Sequence, residues 1–208
     1  MTPRDLTSRL DGVSERAPRG TGSEAAADRA WTGSGMSRYW TTYASPLGPL
    51  TLIGGPEGLV ALRFPGLDGA LAHDEHRPEL FEEAVAQLHD YFAGTGRHFD
   101  LRLDLGGTPF QRAVWRQLSA IPYGETRSYG QLAQLIGRPD RARAVGAAVG
   151  ATPVPIIVPC HRAVAANGAL TGYVGGLHRK RLLLDLECAA ASGESVRTVW
   201  TPRQTTLL

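Results

Sequence analysis

The chain has 208 residues, of which 42% are hydrophobic and 20% charged, a composition typical of one or two globular domains. No stretch supplies the roughly 20 apolar residues that a bilayer-spanning helix needs, and residues 1–5 do not resemble the start of a secretory signal. The two cysteines, Cys160 and Cys188, exclude a disulfide framework and a four-cysteine zinc site, and we expect a cytoplasmic protein.

Charge is divided unevenly along the chain. The first 106 residues hold ten arginines against 15 acidic residues, whereas residues 107–187 hold ten basic residues against four acidic ones. Such a contrast is a reason to expect a polyanion as the partner of the basic half. Arginines that simply lie on the solvated surface explain the same counts equally well.

The N-terminal half predicts an arm followed by a small sheet. Residues 1–36 are rich in Gly, Ser, Ala and Arg, with scattered apolar residues, and this composition predicts a disordered arm. Three short runs at 38–44, 50–53 and 58–64, separated by glycine turns, predict an antiparallel meander.

Two further elements are predicted before the middle of the chain. Apolar residues recur at helical spacing over 78–92, which predicts an amphipathic helix. Residues 99–105 alternate apolar and polar side chains and predict a half-buried strand.

The C-terminal half is predicted to be helical. Thr108 is predicted to be the N-cap of a helix whose first residue is Pro109. Another helix is predicted over 177–186, followed by a low-complexity tail at 189–208.

Between them the sequence predicts a helix-turn-helix. Ser128 and Gln131 have the spacing of a capping box that opens a helix. After a tight turn, Asp140 is predicted to cap a second short helix over 141–150. Two short helices joined in this way are typical of a DNA-binding helix-turn-helix.

The candidate chemistry begins at Cys160, which His161 and Arg162 follow directly. A cysteine attacks as the thiolate, and a neighbouring His and Arg both favour that anion. Adjacent residues of a strand point in different directions, so we expect a water to connect thiol and imidazole. A buried structural cysteine after the apolar run 155–158 is the alternative, because free Cys is among the most buried residue types.

The second helix of the pair, residues 141–151, consists almost entirely of small residues with arginines at its start. A helix that recognises base edges normally displays Asn, Gln, Arg or Lys along one face. The composition therefore predicts one of two arrangements. Either the helix lies close against DNA with one arginine projecting from it, or it packs tightly in a core.

Taken together, these residues resemble the O6-alkylguanine-DNA alkyltransferases, also called methylated-DNA–protein-cysteine methyltransferases. The resemblance extends from about residue 45 to residue 187. Four stretches carry it, in the order of the family: residues 108–126, 128–146, 153–162 and 172–187. The most specific is Pro-Val-Pro at 153–155 followed by Pro-Cys-His-Arg at 159–162.

The resemblance implies repair of DNA by direct reversal. Cys160 would take the alkyl group from O6 of guanine, and from O4 of thymine, in a single-turnover reaction that uses no cofactor or metal. By similarity, Glu187 orients His161, and His161 deprotonates Cys160 through a water. Tyr129 would supply a proton or a hydrogen bond to the leaving guanine.

The target atom lies inside a duplex, so the resemblance also implies that the nucleotide is flipped out. By similarity Arg143 takes the place of the flipped base, and the small-residue helix lies in the minor groove. Further DNA contacts are expected from Ala142, Gly146, Ser128 and Arg162. The positions that match the substrate pocket are Val149, Thr152, Pro155, Tyr173 and Val174.

The chain departs from the family pattern in three places. Thr152 stands where the family usually has Asn, and Ala163 stands where it usually has Val. A single β-branched hydroxyl offers fewer hydrogen bonds than an amide, so we expect slower alkylation than is usual. The N-terminal zinc ligands of some relatives are missing, and His73 and His76 are expected to be surface histidines because further ligands are lacking.

The fold class implied by the resemblance is α+β. Residues 37–105 are expected to form a small ribonuclease-H-like domain with an antiparallel sheet. Residues 106–188 are expected to form a mostly helical, winged-helix-like domain that binds DNA and carries Cys160. The arm at 1–36 and the tail at 189–208 lie outside both, and we expect a monomer on double-stranded DNA, away from membranes.

Three other functions are open. One is a lesion-sensing module that grips flipped bases without chemistry, which the presence of Cys160 disfavours. Another is alkyl transfer from a free nucleoside or other small molecule, with Thr152 marking the divergence. The third is a Cys–His hydrolase, although nothing else in the chain resembles one.

Overall fold

The computed structural model describes residues 38–66 and 75–193. The predicted arm at 1–36 and the predicted tail beyond residue 193 lie outside the described residues. Within them, a small sheet precedes a mostly helical region, which confirms the predicted α+β class.

Three strands form the predicted antiparallel meander. β1 (Tyr39–Ser45), β2 (Gly48–Gly55) and β3 (Gly58–Arg63) pair in sequence order. A fourth strand that was not predicted, β4 (Glu75–His76), pairs parallel to β1 and gives the order β3-β2-β1-β4. β2 therefore lies inside the sheet and is its most buried strand.

One long helix packs against this sheet. A 3-10 turn at Pro78–Phe81 leads into α1 (Glu82–Ala93), close to the predicted range. Its buried residues include Leu88 and Tyr91, which belong to the same core cluster as the sheet. The helix ends at Gly94, whose φ of 76° is the left-handed conformation that glycine adopts without strain.

The predicted strand at 99–105 is wrong. In the described chain, strand pairing of this segment is limited to one isolated bridge between Leu59 and Leu103. Its apolar side chains pack against the core as expected. Part of its backbone, however, forms hydrogen bonds with a side chain and not with a neighbouring strand. The Gln87 side chain accepts from Asp100 N at 2.8 Å and donates to Asp100 O at 2.9 Å, a role that a neighbouring strand would otherwise fill.

Four further α-helices lie in the rest of the described chain. They are α2 (Pro109–Ser119), α3 (Tyr129–Leu135), α4 (Ala142–Gly150) and α5 (Leu177–Ser192). Two short parallel strands, β5 (Arg127–Ser128) and β6 (Ala163–Val164), connect them. None of the helices in the described ranges is both long and apolar enough to cross a bilayer.

The predicted caps of α2 and α3 are confirmed. The Thr108 hydroxyl accepts from Gln111 N at 3.2 Å, and the Gln111 side chain accepts from Thr108 N at 2.8 Å. Ser128 and Gln131 make the same reciprocal pair at 3.1 and 2.7 Å. Both helices therefore begin where the sequence predicted.

Two helix boundaries differ from the prediction. Asp140 does not cap α4, because Pro139 starts a 3-10 turn, and the carboxylate of Asp140 pairs with Arg141 instead. The last helix continues to Ser192, six residues beyond the predicted end. Ala189 and Ala190 are buried, which explains why residues expected in the tail remain helical.

The buried residues form two clusters. The first joins the sheet and α1 to residues from the C-terminal half, namely Val154, Ile156, Ile157, Leu183 and Leu186. The second joins α2, α3 and α4 to the segment that contains Cys160. The loop before Cys160 and helix α5 therefore lie between the two clusters, and this position supports the candidate site.

Candidate active site

Cys160 begins a 3-10 turn that also contains His161 and Arg162. The loop before it includes Ile156, a β-branched residue with a φ of 75°, which is an unusual and strained conformation. Cys160 itself is only 2% exposed. The sulfur is thus held in a constrained, nearly enclosed position.

Burial raises the pKa of the Cys160 thiol to about 12. The positive charge of Lys180 opposes that rise, as do the Thr152 hydroxyl and the backbone N–H groups of Cys160 and Ile156. Because the rise dominates, the resting side chain is the neutral thiol. A nucleophile of this kind needs a base at the moment of attack.

The His161 ring forms a hydrogen bond with the Glu187 carboxylate. The distance between His161 Nε2 and Glu187 Oε1 is 2.8 Å, and both side chains are fully buried. An ionised carboxylate only accepts hydrogen bonds, so Nε2 carries the hydrogen and Nδ1 is left as an acceptor. Within the described residues, His161 Nδ1 is a buried atom with no hydrogen-bond partner. Burial lowers the pKa of His161, which keeps the imidazole neutral and able to take a proton.

Glu187 is the centre of a hydrogen-bond network. Besides His161, its Oε1 accepts from the Tyr91 hydroxyl at 2.8 Å and from Arg162 Nη2 at 2.9 Å. Its Oε2 accepts from Arg162 Nε at 2.9 Å and from Gly124 N at 3.1 Å. Burial disfavours the carboxylate, but His161 and Arg162 outweigh it and lower the pKa of Glu187 to about 2.

Arg162 has a different role from the predicted DNA contact. Its guanidinium is buried, and it donates to both oxygens of Glu187 and, through Nη1, to Ile121 O at 2.6 Å. A bidentate pair of this kind holds a carboxylate in one orientation. The structure therefore argues against the predicted DNA contact and places Arg162 among the groups that fix Glu187.

Lys180 is a site residue that sequence reasoning missed. It is fully buried, and its Nζ donates to Ala163 O at 2.6 Å and Thr171 O at 2.9 Å. Burial lowers its pKa to about 8, against the opposing effect of Cys160. A signal was present, because Lys180 is the only lysine among 22 basic residues.

Four of the residues predicted to contact DNA lie on α4 or at the N-cap of α3. Arg143 is exposed, whereas Ala142 and Gly146 are half-buried on the same helix. The backbone N–H and hydroxyl of Ser128 are occupied by the capping box. The structure thus brings these residues to neighbouring helices, and their contact with DNA stays a prediction.

Thr152 and Tyr173, both predicted to line the substrate pocket, lie next to the sulfur of Cys160. Thr152 donates to Val149 O at 2.8 Å and so connects the end of α4 to the loop before the cysteine. One hydroxyl hydrogen serves one acceptor at a time, so Thr152 donates either to Val149 or to the sulfur. Pro155 is buried in the same loop.

The other side of the predicted pocket is formed by aromatic residues and a loop. The Tyr129 hydroxyl donates to Thr171 O at 3.3 Å and accepts from the Thr171 hydroxyl at 3.2 Å. The Tyr173 hydroxyl is buried, and burial together with the nearby Cys160 raises its pKa. Val174 is exposed, and the predicted contact of its backbone with O6 stays a prediction.

Metal ligands do not cluster in residues 38–66 and 75–193, where no group of three or more His, Cys, Asp or Glu side chains could hold an ion. His73 lies outside the described residues. His76 lies on β4 with its ring 4.7 Å from that of Trp40.

Comparison with known protein families gives two adjacent matches. Residues 38–105 match the ribonuclease-like domain of 6-O-methylguanine DNA methyltransferase, and residues 109–189 match its DNA binding domain. The chain belongs to this family. The resemblance that the motifs around Cys160 suggested is thereby confirmed.

Individual relatives agree with this assignment. The methylated-DNA–protein-cysteine methyltransferase of Mycobacterium tuberculosis H37Rv is 51% identical over 158 residues, covering 75% of this chain and 96% of the relative. That of Methanosarcina acetivorans is 48% identical over 152 residues, covering 72% of this chain and 97% of the relative. The crystal structure of M. tuberculosis OGT in complex with DNA superposes with a TM-score of 0.71 at 50% identity, covering 77% of this chain and 98% of that one.

Proposed function

We propose that this protein repairs DNA by direct reversal, moving the alkyl group of O6-alkylguanine, and of O4-alkylthymine, onto Cys160. The observation that carries the proposal is the buried arrangement of Cys160, His161 and Glu187. One nitrogen of the neutral imidazole is bonded to the carboxylate, and the other has no hydrogen-bond partner among the described residues. The close relatives are named for transfer to a protein cysteine, and this geometry suits that chemistry.

The proposed reaction is a displacement at the alkyl carbon. A water between His161 Nδ1 and the sulfur carries the thiol proton to the imidazole. The sulfur–carbon bond then forms as the carbon–O6 bond breaks, and the electron pair of the broken bond remains on guanine. Tyr129 donates to a ring nitrogen of the leaving base and stabilises the charge that develops there. The product is a stable thioether, so each molecule reacts once.

Burial of the thiol is consistent with this mechanism. A sulfur whose pKa is raised to about 12 is unreactive toward solvent and oxidants until a base acts on it. The groups that oppose the rise, Lys180 and the N–H of Ile156 among them, are already in place to stabilise the thiolate once it forms. Reactivity is thereby confined to a substrate that fits the pocket.

The proposed substrate is double-stranded DNA bound by a monomer. The base must leave the stack to reach Cys160, and exposed Arg143 at the start of the small-residue helix α4 is suited to fill the space it leaves. A cytoplasmic location remains part of the proposal, because it rests on the cysteine content alone.

Intact-protein mass spectrometry tests the proposal. After incubation with duplex DNA containing O6-methylguanine, we expect each chain to gain the mass of one methylene group, located on Cys160 by peptide analysis. The matched variants are Cys160→Ser, which should gain nothing, and Cys188→Ser, which should react like the wild type. A folded wild-type protein that gains no mass, or that gains it on Cys188, would contradict the proposal.

A further inference from the structure

Tyr91 is a buried residue of α1. It contacts the candidate site, although the other site residues belong to the C-terminal half of the chain. Its side chain is 1% exposed, and its hydroxyl donates to Glu187 Oε1 at 2.8 Å across 96 positions of sequence. The same hydroxyl lies 3.5 Å from His161 Nε2. The part of the chain that contains the sheet thus places one polar atom beside the hydrogen bond between the carboxylate and the imidazole.

We propose that Tyr91 is a positioning residue whose hydroxyl takes a share of the charge on Glu187 Oε1 and thereby keeps His161 neutral. The hydroxyl and His161 Nε2 donate to the same oxygen. A hydrogen bond from one donor withdraws negative charge from the carboxylate. The carboxylate then raises the pKa of a neighbouring histidine less strongly. The proposal rests on the proposed function only where it concerns the rate of alkyl transfer.

This sharing matters because the relay needs His161 in one state. A carboxylate beside a histidine favours the protonated imidazolium, and an imidazolium cannot accept the thiol proton. With Nε2–H directed at the shared oxygen, Nδ1 remains the acceptor that faces the relay. Tyr91 therefore supports both the neutral state and the tautomer that the mechanism requires.

Several other charged groups face His161 and act on the same balance. Glu187 on α5 raises the pKa of His161, whereas Arg162 beside it and Lys180 on α5 lower it. Cys160 is the neutral thiol at ordinary pH, because its pKa is about 12. These groups remain in place when only the Tyr91 oxygen is removed, so the effect of that oxygen can be measured separately.

The structure offers a matched control in Tyr123. Its ring lies 6.0 Å from that of Tyr91 and 5.5 Å from the Arg162 guanidinium. Its hydroxyl is also buried but has no hydrogen-bond partner within the described residues. Tyr123→Phe therefore removes a phenol oxygen from the same surroundings without removing a hydrogen bond to Glu187.

The experiment compares the full-length wild type with Tyr91→Phe and Tyr123→Phe. The protonation of His161 is followed by NMR on protein labelled with ¹⁵N-histidine, and its signals are assigned as those missing from His161→Ala. In parallel, the rate of methyl transfer from duplex DNA is measured against pH. We expect Tyr91→Phe to move the His161 titration and the acid limb of the rate profile upward by about one pH unit, and Tyr123→Phe to move neither.

Two outcomes would overturn the proposal. One is a Tyr91→Phe protein whose titration stays at the wild-type pH, even if its rate falls equally at every pH. The other is an equal shift in Tyr123→Phe, which would show that any lost phenol has the same effect. The NMR titration needs no alkyl transfer, so failure of the proposed function would be seen separately, in the absence of mass gain on Cys160.

A second substitution keeps the proposal testable if Tyr91→Phe does not fold. Replacing Tyr91 by 3-fluorotyrosine makes the hydroxyl a stronger donor and keeps the hydrogen bond. Burial raises the pKa of Tyr91 well above its usual value, so the fluorinated phenol stays protonated. The His161 titration should then move downward, and an unchanged or upward shift would contradict the proposal.

Discussion

At the scale of single residues, the positive charge that acts on the sulfur does not come from the residue that the sequence indicated. Arg162 lies only two positions after Cys160, but its guanidinium is engaged with Glu187 and Ile121. Lys180, 20 positions after Cys160, is the charge that lowers the pKa of Cys160 against burial. Distance along the chain therefore did not show which cation acts on the thiol, because the Arg162 guanidinium is bonded to Glu187 and helix α5 brings Lys180 near the sulfur.

Glu187 is expected to be the most stabilising single charge of the described site. Replacing it by Gln leaves buried Arg162 without its partner, and breaking a buried pair in this way costs about 3–5 kcal/mol. We expect urea unfolding at pH 7 to show that loss for Glu187→Gln. Glu125→Gln is the control, because it removes an exposed pair with Arg127 and should cost less than about 1 kcal/mol.

The same comparison has a defined pH dependence. The folded pKa of Glu187, about 2, lies below the unfolded value of 4.5, so its contribution is complete above the unfolded pKa. It is lost as the pH falls from there toward the folded pKa. The difference in unfolding free energy between wild type and Glu187→Gln should therefore shrink between about pH 5 and pH 2. A difference that stays constant over this range would contradict the assignment.

At the scale of elements, local sequence signals placed the helix starts where side chains cap the backbone. Thr108 caps its helix as predicted, and Ser128 forms the predicted capping box, since such caps depend only on residues a few positions apart. The prediction of a strand at 99–105 was wrong. The alternation of apolar and polar residues shows only which side chains are buried. It does not show whether a neighbouring strand accepts the backbone, and here Gln87 satisfies Asp100 instead.

Helix α4 leads to a prediction that separates base flipping from chemistry. Arg143→Ala should slow methyl transfer from duplex DNA by roughly tenfold or more, because unstacking a base costs a few kcal/mol. Reaction with free O6-alkylguanine needs no flipping and should change less than about twofold. Single-turnover rates on the two substrates provide the measurement, and equal slowing on both would argue against the proposed role.

At the scale of the whole molecule, the sheet supports the loop that faces Cys160. Arg179 donates to Leu47 O at 3.1 Å and to Gly175 O at 2.8 Å, and its guanidinium lies 5.4 Å above the Phe64 ring. A Cβ atom added at Gly175 would lie 2.8 Å from that buried ring. The N-terminal part thus fixes the position of the loop that carries Tyr173 and Val174.

This contact predicts that Gly175→Ala destabilises the protein by about 1–3 kcal/mol through overpacking and slows the reaction with free O6-alkylguanine. Phe64→Leu should recover part of both losses when combined with it. Gly150→Ala is the control, because nothing lies within 4 Å of an added Cβ atom there, and it should not reduce stability. Full additivity of the Gly175 and Phe64 substitutions would contradict the assigned contact.

The sequence alone determined the family, the meander and the capped helices, and it predicted the nucleophile, its base and its carboxylate. Each of these depends on short-range patterns or on motifs whose residues are close in the chain. The tertiary structure decided what surrounds them: the resting thiol, the role of Arg162, the buried Lys180 and the hydroxyl of Tyr91. These depend on burial and on contacts between residues as far apart as Tyr91 and Glu187, and a pKa follows from all the groups around it.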